Sequence, residues 1–346
     1  MISIYKSIRI HLNSSTSSEA LINGTVRKEL PEWKKAILFY MGNYELIEHH
    51  KLQVGQKVRL GDKDNRVCRF CGKTKPEVTF KKVAHAIPEG LGNKSLENYY
   101  ECDPCNEMFG NGIEDDLGKW SKPMRTLARI SGKNGVPTLK RGGDQSWRID
   151  YDRTNGFNIT SYEDDPIFEL DEANEQLTLK LRRESHIPLN VLKAFWKIAY
   201  TLLPEGELPN FPHVLNWITT PFTAFATGKL EVQYVFQPGP MPPDLLEVSL
   251  MRRASADAKL PYMLLALRYG NETFTVVVPS EAKDPSPPWE PLPTFRFPDL
   301  VDPATFGEAQ SGKIDLSSDQ PTKSDFTVVL HAEVVSSGPP ISQTAP

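Results

Sequence analysis

The sequence lacks any apolar run approaching the length of a membrane-spanning helix, and its first residues lack the apolar stretch of a secretory signal. We therefore expect a cytoplasmic protein without a membrane partner. The formal net charge of −4 is small, which argues against a chain coated with nucleic acid along its whole length. Hydrophobic residues make up 39% of the 346 residues, enough to form the cores of about two domains.

Cysteine is scarce, and all four cysteines fall into two pairs, Cys68-Arg-Phe-Cys71 and Cys102-Asp-Pro-Cys105. Two residues between paired cysteines allow one tight turn to present both sulfurs to the same ion. Disulfides and a redox dithiol are the rival interpretations, and a reducing compartment disfavours stable disulfides. The spacing therefore predicts a structural Zn²⁺ held by four thiolates.

The segment between the pairs carries a histidine in a defined local context. A strand is predicted over Thr79–Ala84 with His85 at its end, followed by a loop at residues 87–93 that contains one proline and two glycines. A helix is predicted from Asp103, with Asn106 on its first turn. The pattern thus favours a strand pair and a helix arranged around a metal.

These side chains suit phosphodiester hydrolysis. An imidazole takes a proton from water near neutral pH, so His85 is the candidate general base. A divalent cation stabilises charge on the phosphate, and Asn106 is a candidate for holding it. Asn98 is expected either to pin a loop or to orient the His85 ring through a hydrogen bond.

At these residues the chain resembles the HNH endonuclease family, most closely the branch that combines AH-x-IPE…LGN with EC-x-x-CN. The resemblance covers about 50 residues and is carried by residues 68–71, 84–89, 91–93 and 101–106, with Phe109 and Glu114. It implies a ββα-metal nuclease fold, a structural zinc, and Mg²⁺ or another divalent ion for catalysis. DNA is the implied substrate, RNA is not excluded, and the family suggests bacterial anti-phage defence or restriction.

The resemblance also assigns roles by position. His85 corresponds to the general base, Asn98 to the middle residue of the motif, and Asn106 to the final metal-binding residue. Many family members carry a metal ligand directly before the catalytic histidine, where this chain has Ala84. The missing ligand must come from elsewhere, and four acidic residues are candidates: Glu89, Glu101, Asp103 and Glu114. Glu114 follows Asn106 by about two helical turns, so it could share a helix face with it.

Basic residues follow the second cysteine pair and are candidates for binding nucleic-acid phosphates: Lys119, Lys122, Arg125 and Arg129. The alternative is that they form an ordinary solvated helix face.

The chain as a whole is expected to be an α+β protein. We predict an N-terminal extension with a helix and a strand at residues 1–60, an HNH nuclease domain at 61–130, and a β-rich domain with one central helix at 145–280. A Pro-rich, partly disordered segment is predicted at 281–346. Pro188 is expected to start the central helix, and Gly270-Asn271 is expected to form a hairpin turn.

Three functions remain open from the sequence. The first is a metal-dependent DNase whose β-rich domain recognises a protein partner, a signal or the substrate. The second is a zinc ribbon that binds nucleic acid without cutting it, and the third is a scaffold in a larger complex. A binding module requires only zinc, whereas a nuclease also requires a second, exchangeable divalent ion.

Overall fold

The computed structural model describes residues 2–5, 32–140, 147–154, 156–161, 167–220, 230–284, 309–331 and 337–338. Helices and strands are mixed throughout this part of the chain. The helices are α1 Glu32–Asn43, α2 Asp103–Gly110, α3 Ile113–Leu127, α4 Pro188–Leu202 and α5 Pro212–Thr219. None of these helices has the length and apolar character needed to cross a membrane.

The strands are β1 Ile2–Tyr5, β2 Tyr44–Leu52, β3 Val58–Leu60, β4 Ala84–His85, β5 Leu96–Asn98, β6 Leu139–Lys140, β7 Arg148–Asp152, β8 Gly156–Ser161, β9 Phe168–Asp171, β10 Gln176–Arg182, β11 Glu231–Phe236, β12 Leu246–Arg253, β13 Met263–Tyr269, β14 Glu272–Val278, β15 Gln310–Asp315, β16 Asp325–His331 and β17 Ser337–Gly338. They form four sheets, ordered β17-β1-β8-β7-β6, β16-β10-β9, β15-β11-β14-β13-β12-β2 and β3-β5-β4.

The six-stranded sheet is antiparallel, and α4 packs against it. Trp196 Nε1 on α4 donates a hydrogen bond to the carbonyl oxygen of Val277 at 2.9 Å. Proline lies in the first turn of α4, as predicted, and nearly every side chain of this helix is buried. Gly270 turns the chain between β13 and β14 with a φ of 51°, which confirms the predicted hairpin. The expectation of one helix in this region is wrong, because α5 also lies there.

One large hydrophobic core joins the cysteine-containing segment to this sheet. It includes Phe70 and Phe109 from around the cysteine pairs, Phe195 from α4, and Leu265 and Phe274 from the sheet. The predicted boundaries at residues 60, 130, 145 and 280 stay predictions. Predictions at 285–308 and 339–346, including the expected disorder, lie outside the described residues.

Three local predictions are corrected. Residues 79–83 are not a strand, since only Ala84–His85 pairs with β5. Asn106 and Glu114 do not share one helix, because α2 ends at Gly110 and α3 begins after Gly112, and glycine weakens a helix. Residues 32–60 contain two strands where one was predicted, because β2 ends at Leu52, the chain turns at Gly55 with a φ of 89°, and β3 starts at Val58.

Candidate functional site

The four cysteines come together in one cluster. Their Sγ atoms all lie within 4.8 Å of one another, and the Sγ atoms of Cys71 and Cys102 are 3.8 Å apart. A tetrahedral zinc with Zn–S bonds of about 2.3 Å places its sulfurs about 3.8 Å apart. The donor set and its spacing therefore fit the predicted zinc.

The electrostatics of the cluster also favour a metal. A hydrogen bond from the Cys105 thiol lowers the pKa of Cys68 to about 4, whereas burial raises the pKa of Cys102 to about 12. Four thiolates this close together repel one another, and a bound dication would allow all four to ionise together.

The second cysteine pair starts α2 and so places Asn106. Cys102 is the N-cap residue, Pro104 lies in the first turn, and the Asn106 amide donates to the carbonyl oxygen of Cys102 at 2.9 Å. Asn106 therefore lies on the first helical turn, as predicted.

His85 lies at the end of the short strand β4, opposite Glu97 of β5. Burial lowers the pKa of its imidazole, although the nearby Glu89 carboxylate opposes this shift. Its buried Nδ1 atom has no hydrogen-bond partner among the described residues. The lowered pKa favours the neutral form of the His85 imidazole, which is the form that a general base requires.

The loop between β4 and β5 is held by Gly92 and Asn93. Gly92 has a φ of 93°, and a Cβ atom there would lie 3.0 Å from Ile130 Cγ2. The fully buried Asn93 side chain donates to the carbonyl oxygens of Ile87 and Leu96 at 2.8 and 3.0 Å. The Leu-Gly-Asn motif thus has a structural role that the sequence analysis did not assign.

Asn98 pins the turn between β5 and α2. Its Nδ2 donates to Glu101 Oε2 at 2.9 Å, and its Oδ1 accepts from the Tyr100 amide at 3.0 Å. These bonds agree with the first of its two predicted roles. Within the described structure, no hydrogen bond joins Asn98 to His85.

An open cleft of about 840 Å³ brings the predicted chemical groups together. His85, Asn106 and Glu114 all line it, although Asn106 and Glu114 belong to different helices. Glu89 lines it as well. The Asp103 carboxylate is committed elsewhere, because it accepts hydrogen bonds from the Lys81 and Lys82 amides and from Thr79.

Residues 68–121 match the family model described as HNH endonuclease. This segment belongs to the HNH endonuclease family. The match confirms the predicted family and covers the cysteines, His85, Asn106 and Glu114. The comparisons with curated proteins and with solved structures found no match.

A lysine from outside the HNH segment enters its interior. Lys197 Nζ lies 2.9 Å from Glu101 Oε2 and 2.9 Å from Glu114 Oε1. Burial lowers the pKa of Lys197, but the attraction of the two carboxylates outweighs burial and raises the pKa above its usual value. Glu101 is committed to this ion pair and does not line the cleft. Lys197 was not predicted as a site residue, because no sequence spacing relates it to the HNH motif.

The basic residues predicted to bind nucleic acid occupy different environments. Lys119 and Lys122 line the cleft of the HNH segment, each 2.6 Å from a carboxylate oxygen, of Asp115 and Glu184 respectively. The exposed Lys82 and Lys133 also line it.

Arg125 and Arg129 make hydrogen bonds within the protein. Arg125 lines the cleft, but it is 7% exposed and its guanidinium donates to the carbonyl oxygens of Gly90 and Gly118. Its contact with phosphate stays a prediction. Arg129 donates to the carbonyl oxygen of Met241 at 3.3 Å, and it is not among the residues lining the cleft.

Proposed function

We propose that this protein is a metal-dependent HNH endonuclease that hydrolyses phosphodiester bonds in DNA. The observation that carries the proposal is the cleft in the matched segment, which gathers His85, Asn106 and Glu114 beside a four-cysteine cluster. The element order β4, β5 and α2 supports the ββα arrangement that the resemblance implies.

Two metals are proposed, with different ligands. Cys68, Cys71, Cys102 and Cys105 would hold the structural zinc. Asn106 and Glu114 would hold a catalytic Mg²⁺ or similar ion. Among the described residues, only the cysteines form a close group of three or more His, Cys, Asp or Glu ligands. A Mg²⁺ site fits the cleft nonetheless, because Mg²⁺ retains waters and substrate phosphates in its coordination shell and needs few protein ligands.

The side chains of the cleft and the divalent ion would have different roles in hydrolysis. We infer that His85 accepts a proton from the attacking water, because its lowered pKa favours the neutral imidazole. Asn98 and Asn93 hold the two ends of β5 and so keep His85 opposite Glu97. A divalent ion, when bound, supplies charge stabilisation for the phosphate and the leaving oxygen.

The cations of the cleft would contact the nucleic-acid backbone. Lys82, Lys119, Lys122 and Lys133 line it, and phosphate contacts of this kind position a nucleic acid without selecting its sequence. RNA presents the same phosphates, so RNA cleavage is an outcome that the assay must test.

A zinc-containing module that binds nucleic acid without cutting is the second candidate. Ala84 supports it, because alanine stands where many family members have a metal ligand and cannot coordinate an ion. The two candidates differ in whether a second, exchangeable divalent ion is needed.

The test is cleavage of supercoiled plasmid and single-stranded DNA by the zinc-loaded protein with Mg²⁺, Mn²⁺ or Ni²⁺, beside EDTA and a parallel RNA substrate. Metal-dependent cutting that disappears in His85→Ala, with zinc content and folding unchanged, supports the nuclease. DNA retained on a gel but not cut under any of these ions supports the binding module.

The defence role stays a prediction, as does recognition of a protein partner or signal by residues 145–280. Comparing phage plaque counts on cells expressing wild-type protein or His85→Ala tests the defence role. Equal counts would contradict it.

A further inference from the structure

Helix α4 lies more than 60 residues beyond the HNH segment in the chain, yet Lys197 reaches the interior of that segment. The Lys197 side chain is 1% exposed and that of Glu101 0%, whereas Glu114 retains 15% exposure at the wall of the cleft. Lys197 Nζ also lies 5.4 Å from the centre of the Phe109 ring. Of the two carboxylates beside this ammonium, only Glu114 is partly exposed. Lys197 Nζ also donates to the carbonyl oxygen of His85 at 3.4 Å.

A second cation, Arg69, joins the cysteine-containing segment to the C-terminal end of α4. Arg69, between the first two cysteines, donates through Nη1 to the carbonyl oxygens of Thr201 and Leu203, both at 2.8 Å. Carbonyl groups at the C-terminal end of a helix lack partners within the helix and carry partial negative charge, so a guanidinium there is stabilising. The Arg69 guanidinium also lies over the Tyr100 ring, 3.7 Å from its centre. This anchor sets the position of α4 and so of Lys197.

We propose that Lys197 is a positioning residue of the nuclease site, which holds Glu114 Oε1 so that the other carboxylate oxygen can bind a divalent ion in the cleft. The inference rests on the proposed function for the identity of the cleft. It deepens that proposal, because it makes α4 part of the nuclease site.

The effect of Lys197 on the position of Glu114 can be separated experimentally from its effect on the net charge near the cleft. The two carboxylates and the ammonium carry one net negative charge. Replacing Lys197 with Met and Glu101 with Gln together removes one charge of each sign and leaves this net charge unchanged. A change in metal affinity in the double variant then reports the lost restraint on Glu114. Lys193→Met is a matched control, because Lys193 is a buried lysine on the same helix that donates to the carbonyl oxygen of Thr220 at 3.0 Å.

The experiment titrates Mn²⁺ into the zinc-loaded full-length protein and measures free Mn²⁺ by electron paramagnetic resonance. Wild type is expected to bind one Mn²⁺. The Lys197→Met/Glu101→Gln variant should bind it about tenfold more weakly, the usual effect of removing a group that orients a metal ligand. Glu114→Gln should show a loss at least as large, and Lys193→Met should bind as wild type does.

Equal Mn²⁺ affinity in wild type and in a folded, zinc-containing double variant would overturn the proposal, as would the absence of Mn²⁺ binding in wild type. If the double variant does not fold, Lys197→Arg replaces it. The guanidinium keeps the charge but is larger and planar, so weaker Mn²⁺ binding is expected and unchanged binding refutes the proposal. Lys197-dependent Mn²⁺ binding without DNA or RNA cleavage would instead contradict only the proposed function.

Discussion

Replacing Lys197 with methionine should strongly destabilise the fold. The substitution keeps the length and most of the apolar volume of the side chain, so its packing against Phe70 and Phe109 is largely retained. What it removes is the ammonium 2.9 Å from Glu101 and from Glu114. The perturbation therefore tests electrostatics in the core more than packing.

The magnitude follows from the burial of the two carboxylates. Removing one partner of a buried ion pair lowers the free energy of unfolding by about 3–5 kcal/mol, since it leaves an uncompensated charge in the interior. Glu101 would carry nearly all of this effect, because its side chain is fully buried and its Oε1 has no hydrogen-bond partner within the described residues. Glu114 is partly hydrated at the cleft.

Adding Glu101→Gln should therefore recover part of the loss. We expect the two substitutions to be non-additive by about 2 kcal/mol, within the range for contacting residues. Equilibrium urea unfolding followed by far-ultraviolet circular dichroism measures this coupling, with Lys193→Met as the control for losing a buried lysine from α4. Additive effects of Lys197→Met and Glu101→Gln would show that Lys197 and Glu101 are not coupled. A Lys197→Met protein as stable as wild type would contradict the expected loss.

Three further predictions concern the zinc, pH and DNA. Cys102→Ser should lose zinc and become insoluble or unfolded, because the metal supplies folding energy; soluble protein with full zinc by atomic absorption would contradict this. Burial lowers the pKa of Lys193 from 10.5 to about 8, so between these values the folded protein binds fewer protons than the unfolded chain. Its contribution to the free energy of unfolding should rise with pH across that window, seen in urea titrations as a wild-type minus Lys193→Met difference, and a flat difference argues against it. Replacing Lys82, Lys119 and Lys133 with glutamine should weaken DNA binding and reduce the slope of log affinity against log salt by about 3, measured by fluorescence anisotropy; an unchanged slope would exclude these contacts.

The sequence was most informative where chemistry depends on short spacings. The two Cys-x-x-Cys pairs and Asn106 follow from local turns and a helix start, and the structure brings the four sulfurs together as their spacing predicts. Helix α4 also follows from local pattern, because apolar residues recur at helical spacing after Pro188. Short elements were harder: β4 has two residues and β5 has three, too few for a periodic signal.

The burial of charged residues at the site was also hard to predict from the sequence. Arg125 and Lys119 are both basic residues of α3 that line the cleft, yet Arg125 is buried against backbone carbonyls whereas the Lys119 side chain is 38% exposed. Composition alone cannot predict which of the two side chains is buried, because the carbonyl acceptors for Arg125 come partly from the loop at Gly90. The burial of one and the exposure of the other depend on how that loop packs on the helix.

The family, the four-cysteine group and the candidate base could be predicted from the sequence, because each depends on residues close together in the chain. The carboxylates that line the cleft with His85, and the lysine beside Glu114, became evident only from the packing of the helices. Glu114 enters the cleft because α3 packs beside α2, and Lys197 reaches Glu114 because α4 packs between the six-stranded sheet and the HNH segment. Contacts between residues so far apart in the chain depend on the packing of whole elements, for which the sequence carries no local pattern.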